Sequence, residues 1–178
     1  MKSILLVLWS TLLIVQAARS RDDRDSSSQK TPLQWRTFDA GFSEAKKTGK
    51  KVLLDVYTDW CGWCKKLDKN VYGDPKVSGY LNDHYIPVKL NPESATRVTY
   101  RDTAYSAGEF AQGFGITGYP TIIFFEPDGK PIDRLAGYVD ANQFLPIIRF
   151  IGEDFYKKMS WDDFKKQPTG TPQEIKQN

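Results

Sequence analysis

Cysteine and histidine are almost absent: the 178 residues include two cysteines and one histidine. That scarcity excludes most metal chemistry. A structural zinc site takes four ligands and an iron–sulfur cluster takes further thiolates, which Cys61, Cys64 and His84 cannot supply. Attachment of a c-type haem needs histidine directly after the second cysteine of a Cys-x-x-Cys pair, and Lys65 stands there. No metal is expected, and His84 reads as a structural residue at a helix end. An excess of one charge is missing too. The formal net charge is +3, with 25 Lys and Arg set among 22 Asp and Glu, so the lysines read as a solvated face and not as a nucleic-acid footprint. There is no internal repeat.

The apolar run Ile4–Val15 is shorter than the about 20 residues of a membrane span. It follows Lys2 and ends in Val15-Gln16-Ala17, the charge, apolar core and small residues of an export signal. Residues 1–18 are therefore expected to be a signal peptide cut after Ala17 or Ala18, with an uncleaved anchor as the alternative. No cysteine follows the run, which excludes lipid attachment there. Export, to a periplasm or outside the cell, would place both cysteines in an oxidising compartment. Residues 19–34, polar with a Ser26-Ser27-Ser28 run, are expected to be a flexible linker. With 40% hydrophobic and 26% charged residues, the remainder can bury one core, expected over 35–160, followed by an extension and loose tail over 161–178.

What is present is one dense stretch, Val52-Leu53-Leu54-Asp55-Val56-Tyr57 running into Trp60-Cys61-Gly62-Trp63-Cys64-Lys65-Lys66. A thiol pair this close is a structural staple, a metal site or a redox couple. Magnitudes count against the staple, because so short a loop contributes roughly 2 kcal/mol before strain. A redox couple has a positive mechanism. A helix starting at Cys61 would favour a thiolate there, with Lys65 and Lys66 adding positive charge. Cys64, further into the helix and expected to be more buried than an exposed Cys61, would resolve the mixed disulfide.

Asp55 six residues before Cys61, the Trp60-Cys61-Gly62-x-Cys64-Lys65 core, and Gly118-Tyr119-Pro120-Thr121 downstream together resemble the thioredoxin superfamily. The stretch looks most like its exported branch, similar to the C-terminal periplasmic domain of bacterial transmembrane thiol:disulfide interchange reductases. The resemblance runs from about Trp35 to about Ile151. It implies an α/β thioredoxin fold, a mixed central β-sheet with helices on both faces. It also implies thiol:disulfide oxidoreductase activity with Cys61 and Cys64 as the redox couple and no other cofactor. Asp55 would lie beneath the cysteines and assist proton transfer to and from Cys64. Lys89 matches a lysine near that aspartate, although an ordinary strand-end lysine reads equally well. Tyr119–Pro120 would be a cis peptide facing the cysteines, its backbone open to an extended substrate segment. Trp60, Gly62 and Trp63 would frame the sulfur for protein substrates.

Reduction of protein disulfides, fed by a membrane electron donor, is the direction the resemblance favours, in a monomer. A disulfide oxidase or isomerase is the alternative, and Trp63 departs from the proline between the cysteines of ordinary thioredoxins. A non-catalytic binding module would need neither cysteine.

Periodicity supplies the surroundings. Trp35, Phe38, Phe42 and Ala45 recur at helical spacing and Thr48-Gly49-Lys50 closes that segment. Lys51–Tyr57 reads as a strand buried on both faces. A helical stretch from Leu67 to Tyr80 is expected to break at Gly73-Asp74-Pro75. Strands follow at Tyr85–Leu90, Ile122–Phe125 and Ile132–Leu135, with a short helix at Glu109–Phe114. Residues 91–107 read as a polar insertion without assigned structure. Asp140 and Gln143 form a capping box for a last helix, with Pro146 inside it, expected to reach Met159.

Overall fold

The computed structural model describes residues 32–167; the expected signal peptide, most of the expected linker and the end of the tail lie outside the described residues. In chain order the elements are α1 (Phe38–Thr48), β1 (Lys51–Val56), α2 (Gly62–Leu67), α3 (Pro75–His84), β2 (Tyr85–Leu90), β3 (Arg97–Tyr100), β4 (Thr103–Ser106), α4 (Ala107–Gly113), β5 (Thr121–Phe125), β6 (Pro131–Ala136), α5 (Ala141–Gly152) and α6 (Trp161–Lys165).

All six residues of β1 are buried, and the strand lies inside a four-stranded sheet of order β2-β1-β5-β6. The β1–β2 pair is parallel and the β1–β5 and β5–β6 pairs are antiparallel, so the sheet is mixed. Alternation along each strand divides the core into two layers. Leu54, Val56, Val88, Ile123 and Phe125 pack on one face with Phe38 and Phe110. Leu53, Ile122 and Phe124 pack on the other with Leu67, Leu81 and Phe144. Asp55 has the parity of Leu53 and Lys89 that of Tyr85, so both belong to the layer covered by α2, α3 and α5. The expected mixed α/β sheet with helices on both faces is what the chain forms.

Helix α1 lies close on β2 because Gly41 has no side chain: a Cβ there would sit 2.2 Å from Val88 Cγ2. Trp35 is not part of its stripe. An Arg36–Val88 bridge holds that segment extended and Thr37 is the N-cap, so Trp35 falls on the opposite layer, edge-on to Tyr72 at 4.9 Å. The break at Gly73-Asp74 occurs as expected. A π-helical segment, Asp68–Tyr72, continues α2, and the Asp74 carboxylate then caps α3 with Pro75 in its first turn.

The insertion contains an antiparallel hairpin, β3–β4. Its turn residues Arg101 and Asp102 adopt φ values of 51° and 62°. Such turns favour Asn-Gly or Asp-Gly, so Arg-Asp gave the sequence little turn signal. Tyr100 anchors the hairpin among Phe42, Phe110, Phe114 and Phe125, and its hydroxyl donates to Gly129 O at 2.9 Å.

The capping box of Asp140 and Gln143 opens α5, and Pro146 lies inside the helix. Helix α5 ends at Gly152 and not at Met159. Asp154 turns left-handed at φ 61° and its carboxylate is tied to Lys51 at 2.9 Å and Lys157 at 3.0 Å, which redirects the chain into a 3-10 turn. Ser160 caps α6, whose Phe164 is fully buried.

Candidate active site

Strand β1 delivers the chain to Cys61, which is the N-cap of α2. Cys61 and Cys64 are joined in a disulfide, and Cys61 Sγ accepts the Cys64 backbone N–H at 3.0 Å. The expected difference in burial is absent: Cys61 is 4% exposed and Cys64 is 3% exposed. The disulfide and the N–H bond turn the Cys61 sulfur inward. What distinguishes the two sulfurs is the cap position, not cover.

The flanking residues divide. Trp60 and Trp63 are exposed, and nothing lies within 4 Å of the space a Cβ on Gly62 would fill. Trp60 meets Tyr119 edge-on at 5.9 Å, which brings the Tyr119–Pro120 segment beside the cysteine loop. The Tyr119–Pro120 peptide is cis, and Pro120 O accepts the Gly137 N–H at 2.8 Å. Trp63 packs on Tyr138 at 5.3 Å.

Beneath α2 the site is polar. Asp55 is 1% exposed and faces Lys89 across the β1–β2 ladder. Its Oδ2 lies 3.4 Å from Lys89 Nζ, while Oδ1 has no hydrogen-bond partner among the described residues. Lys89 Nζ is nearer to Asp68, at 2.6 Å, and lies 4.8 Å and 4.7 Å from the ring centres of Trp35 and Tyr57. Burial pushes the Asp55 carboxyl up to about 7; Lys89 pulls it down and Asp68 adds to the rise. Burial likewise pushes the Tyr72 phenol well up, and neither its hydroxyl nor that of Thr58 has a hydrogen-bond partner among the described residues. A buried carboxylic acid that changes charge near neutrality can hold or release a proton at working pH.

Of the residues expected from the sequence, Trp60, Gly62, Trp63, Tyr119 and Pro120 lie in or beside the cysteine loop, and Asp55 and Lys89 lie against each other in the layer that α2 covers. Three participants went unread. Asp68 stands four residues after Cys64, one helical turn along, and that spacing was the available signal. Glu93, in the loop after β2, accepts the Trp60 indole N–H, and Tyr138 backs Trp63; loop residues distant in sequence carry no such signal.

The chain is 34% identical over 99 residues to the thiol:disulfide interchange protein DsbD of Actinobacillus pleuropneumoniae serotype 5b, covering 54% of this chain and 15% of that protein. It is 35% identical over 108 residues to the DsbD of Yersinia pestis, covering 59% and 16%. The chain thus spans about one sixth of the length of the curated relatives it matches. Among solved structures, a putative disulphide-isomerase from Bacteroides thetaiotaomicron aligns with a TM-score of 0.57 and 27% identity, over 68% of this chain and 94% of that one. A thioredoxin-fold protein from Helicobacter pylori aligns with a TM-score of 0.57 and 25% identity, over 65% and 76%. A family model, the thioredoxin-like domain, matches residues 38–152, and the chain belongs to that family.

Proposed function

We propose that this protein is an exported thiol:disulfide oxidoreductase that reduces disulfides in other proteins. The observation that carries the reading is Cys61 at the N-cap of α2, its sulfur accepting the Cys64 N–H and bonded to the Cys64 sulfur. In the reduced protein, a Cys61 thiolate would keep that hydrogen bond and gain from the helix end. It attacks one sulfur of a substrate disulfide; that S–S bond breaks, and the departing substrate thiolate takes a proton. Asp55, held near neutrality in its charge change, takes the proton from Cys64. The Cys64 thiolate then attacks Cys61, closes the Cys61–Cys64 disulfide and expels the second substrate thiolate. Two electrons pass from the protein to the substrate. No organic cofactor or metal is required.

Trp60, Gly62, Trp63, Tyr119 and Pro120 receive the substrate segment in this reading, and Lys89 modulates Asp55. The dithiol is restored by a second two-electron thiol donor, a role suited to a membrane electron-donor protein. Likeness to thiol:disulfide interchange proteins supports a thiol-based donor, and the apolar run Ile4–Val15 after Lys2 supports export.

Two measurements test the proposal. Cys64→Ala should trap mixed disulfides with substrate proteins through Cys61; a variant that traps none removes the catalytic reading. The equilibrium reduction potential should fall near the thioredoxin value of about −270 mV, and one near about −120 mV would make the protein an oxidant instead.

A further inference from the structure

Trp60 and Trp63 are the large apolar side chains left exposed among the described residues, at 67% and 56%. They flank Cys61 in the chain, yet each belongs to a separate aromatic pair, Trp60 with Tyr119 and Trp63 with Tyr138. Each pair carries a charge, and the charges are opposite. Both oxygens of the Glu93 carboxylate accept the Trp60 indole N–H, at 3.0 Å each. Lys66 Nζ lies 4.7 Å from the Trp63 ring centre and 5.1 Å from that of Tyr138. Glu93 and Lys66 are both exposed.

Exposed Trp and Tyr side chains are the residue types that anchor protein interfaces. Charges at the rim of such a patch add little affinity but decide orientation and encounter rate. An indole N–H does not neutralise a carboxylate, and a ring contact consumes none of an ammonium's N–H donors. Both charges therefore remain available to a partner.

We propose that this surface docks a protein segment whose reacting cysteine lies between flanks of opposite charge. A basic residue meets Glu93 on the Trp60–Tyr119 side, and an acidic residue meets Lys66 on the Trp63–Tyr138 side. The inference rests on the reading of Cys61–Cys64 as a redox couple acting on proteins, and supplies the charge pattern that this couple selects.

The test uses peptides with one cysteine held as its thionitrobenzoate disulfide. Attack of the Cys61 thiolate on the peptide sulfur forms the mixed disulfide and expels thionitrobenzoate, which is read by absorbance. One peptide set carries Arg on one flank and Glu on the other, in both orders; the other sets carry Arg on both flanks or Glu on both. At low salt the better bipolar peptide should react about 3–10 times faster than either single-sign peptide, with the advantage lost near 1 M salt. Glu93→Lys should make the all-Glu peptide fastest, Lys66→Glu the all-Arg peptide, and the double reversal should restore the bipolar preference. Glu93→Gln keeps an acceptor for the Trp60 indole and should still lose the preference for a basic flank. The same peptide ranking in every variant overturns the inference. If the wild-type protein expels thionitrobenzoate from none of the peptides, the redox reading itself falls and takes this inference with it.

Discussion

Lys89 stands directly opposite Asp55 in the β1–β2 ladder, yet its ammonium is 3.4 Å from Asp55 and 2.6 Å from Asp68. The buried carboxylate thus shares its nearest cation with a competitor nearer the surface. Desolvation outweighs the remaining attraction, and Asp55 changes charge near neutrality instead of in the ordinary carboxylate range.

This rise makes stability fall with pH. Unfolded, the Asp55 carboxyl ionises near the ordinary 3.8; folded, it holds its proton to about 7. Its contribution is present below the unfolded value and is lost as pH rises through the folded one, a difference of at most about 4 kcal/mol. Asp55→Asn should remove that slope and stabilise the oxidised protein at pH 8 by about 2–4 kcal/mol. Denaturant unfolding of both proteins at pH 4, 6 and 8 checks this; parallel curves would contradict it.

The two neighbours of Asp55 should move its titration in opposite directions. Lys89→Met removes the attraction and should raise the midpoint by about one pH unit. Asp68→Asn removes a repulsion and frees Lys89 for Asp55, so the midpoint should fall, by about half a unit since Asp68 is partly exposed. Carbon-13 titration of the Asp55 carboxyl reads both, and shifts of the same sign would refute the arrangement.

Gly41→Ala opposes two effects. Helix propensity favours alanine by about 1 kcal/mol. Against it, a methyl group 2.2 Å from Val88 Cγ2 forces α1 off β2, at about 3 kcal/mol. The net expectation is a loss of about 2 kcal/mol, seen as a lower midpoint of thermal or denaturant unfolding. A stabilised variant would mean that the helix rides higher on the sheet than described.

Tyr100 separates packing from hydrogen bonding in the hairpin. Tyr100→Phe loses only the bond to Gly129 O and should cost about 1 kcal/mol. Tyr100→Ala also empties its place among four phenylalanines and should cost about 3 kcal/mol. Amide exchange across β3 and β4 should rise with the second change far more than with the first.

Much of the fold was legible because local signals and tertiary demands agree. The apolar residues Val52, Leu53, Leu54 and Val56, interrupted only by Asp55, required a strand covered on both sides, Asp74-Pro75 required a new helix start, and Asp140 with Gln143 required a cap. The reading failed where local signals were weak or overridden. Trp35 kept helical spacing with Phe38 and Phe42, but pairing with β2 held it extended. Arg101-Asp102 made a tight turn without the residues that announce one, and Asp154 stopped α5 through ion pairs to Lys51 and Lys157.

The sequence by itself determined the chemistry available: two cysteines at one spacing, one acid set in an apolar strand, and two tryptophans around the pair. Side-chain types and short-range periodicity are properties of the chain, so those could be read without coordinates. Only the tertiary structure decided which charges meet. Lys89 reaches Asp68 as well as Asp55, and Glu93 and Lys66 attach opposite signs to two aromatic pairs, because strands and loops far apart in sequence converge at one end of the sheet. Electrostatic effects fall off with distance in space and not in sequence, and distance is what folding sets.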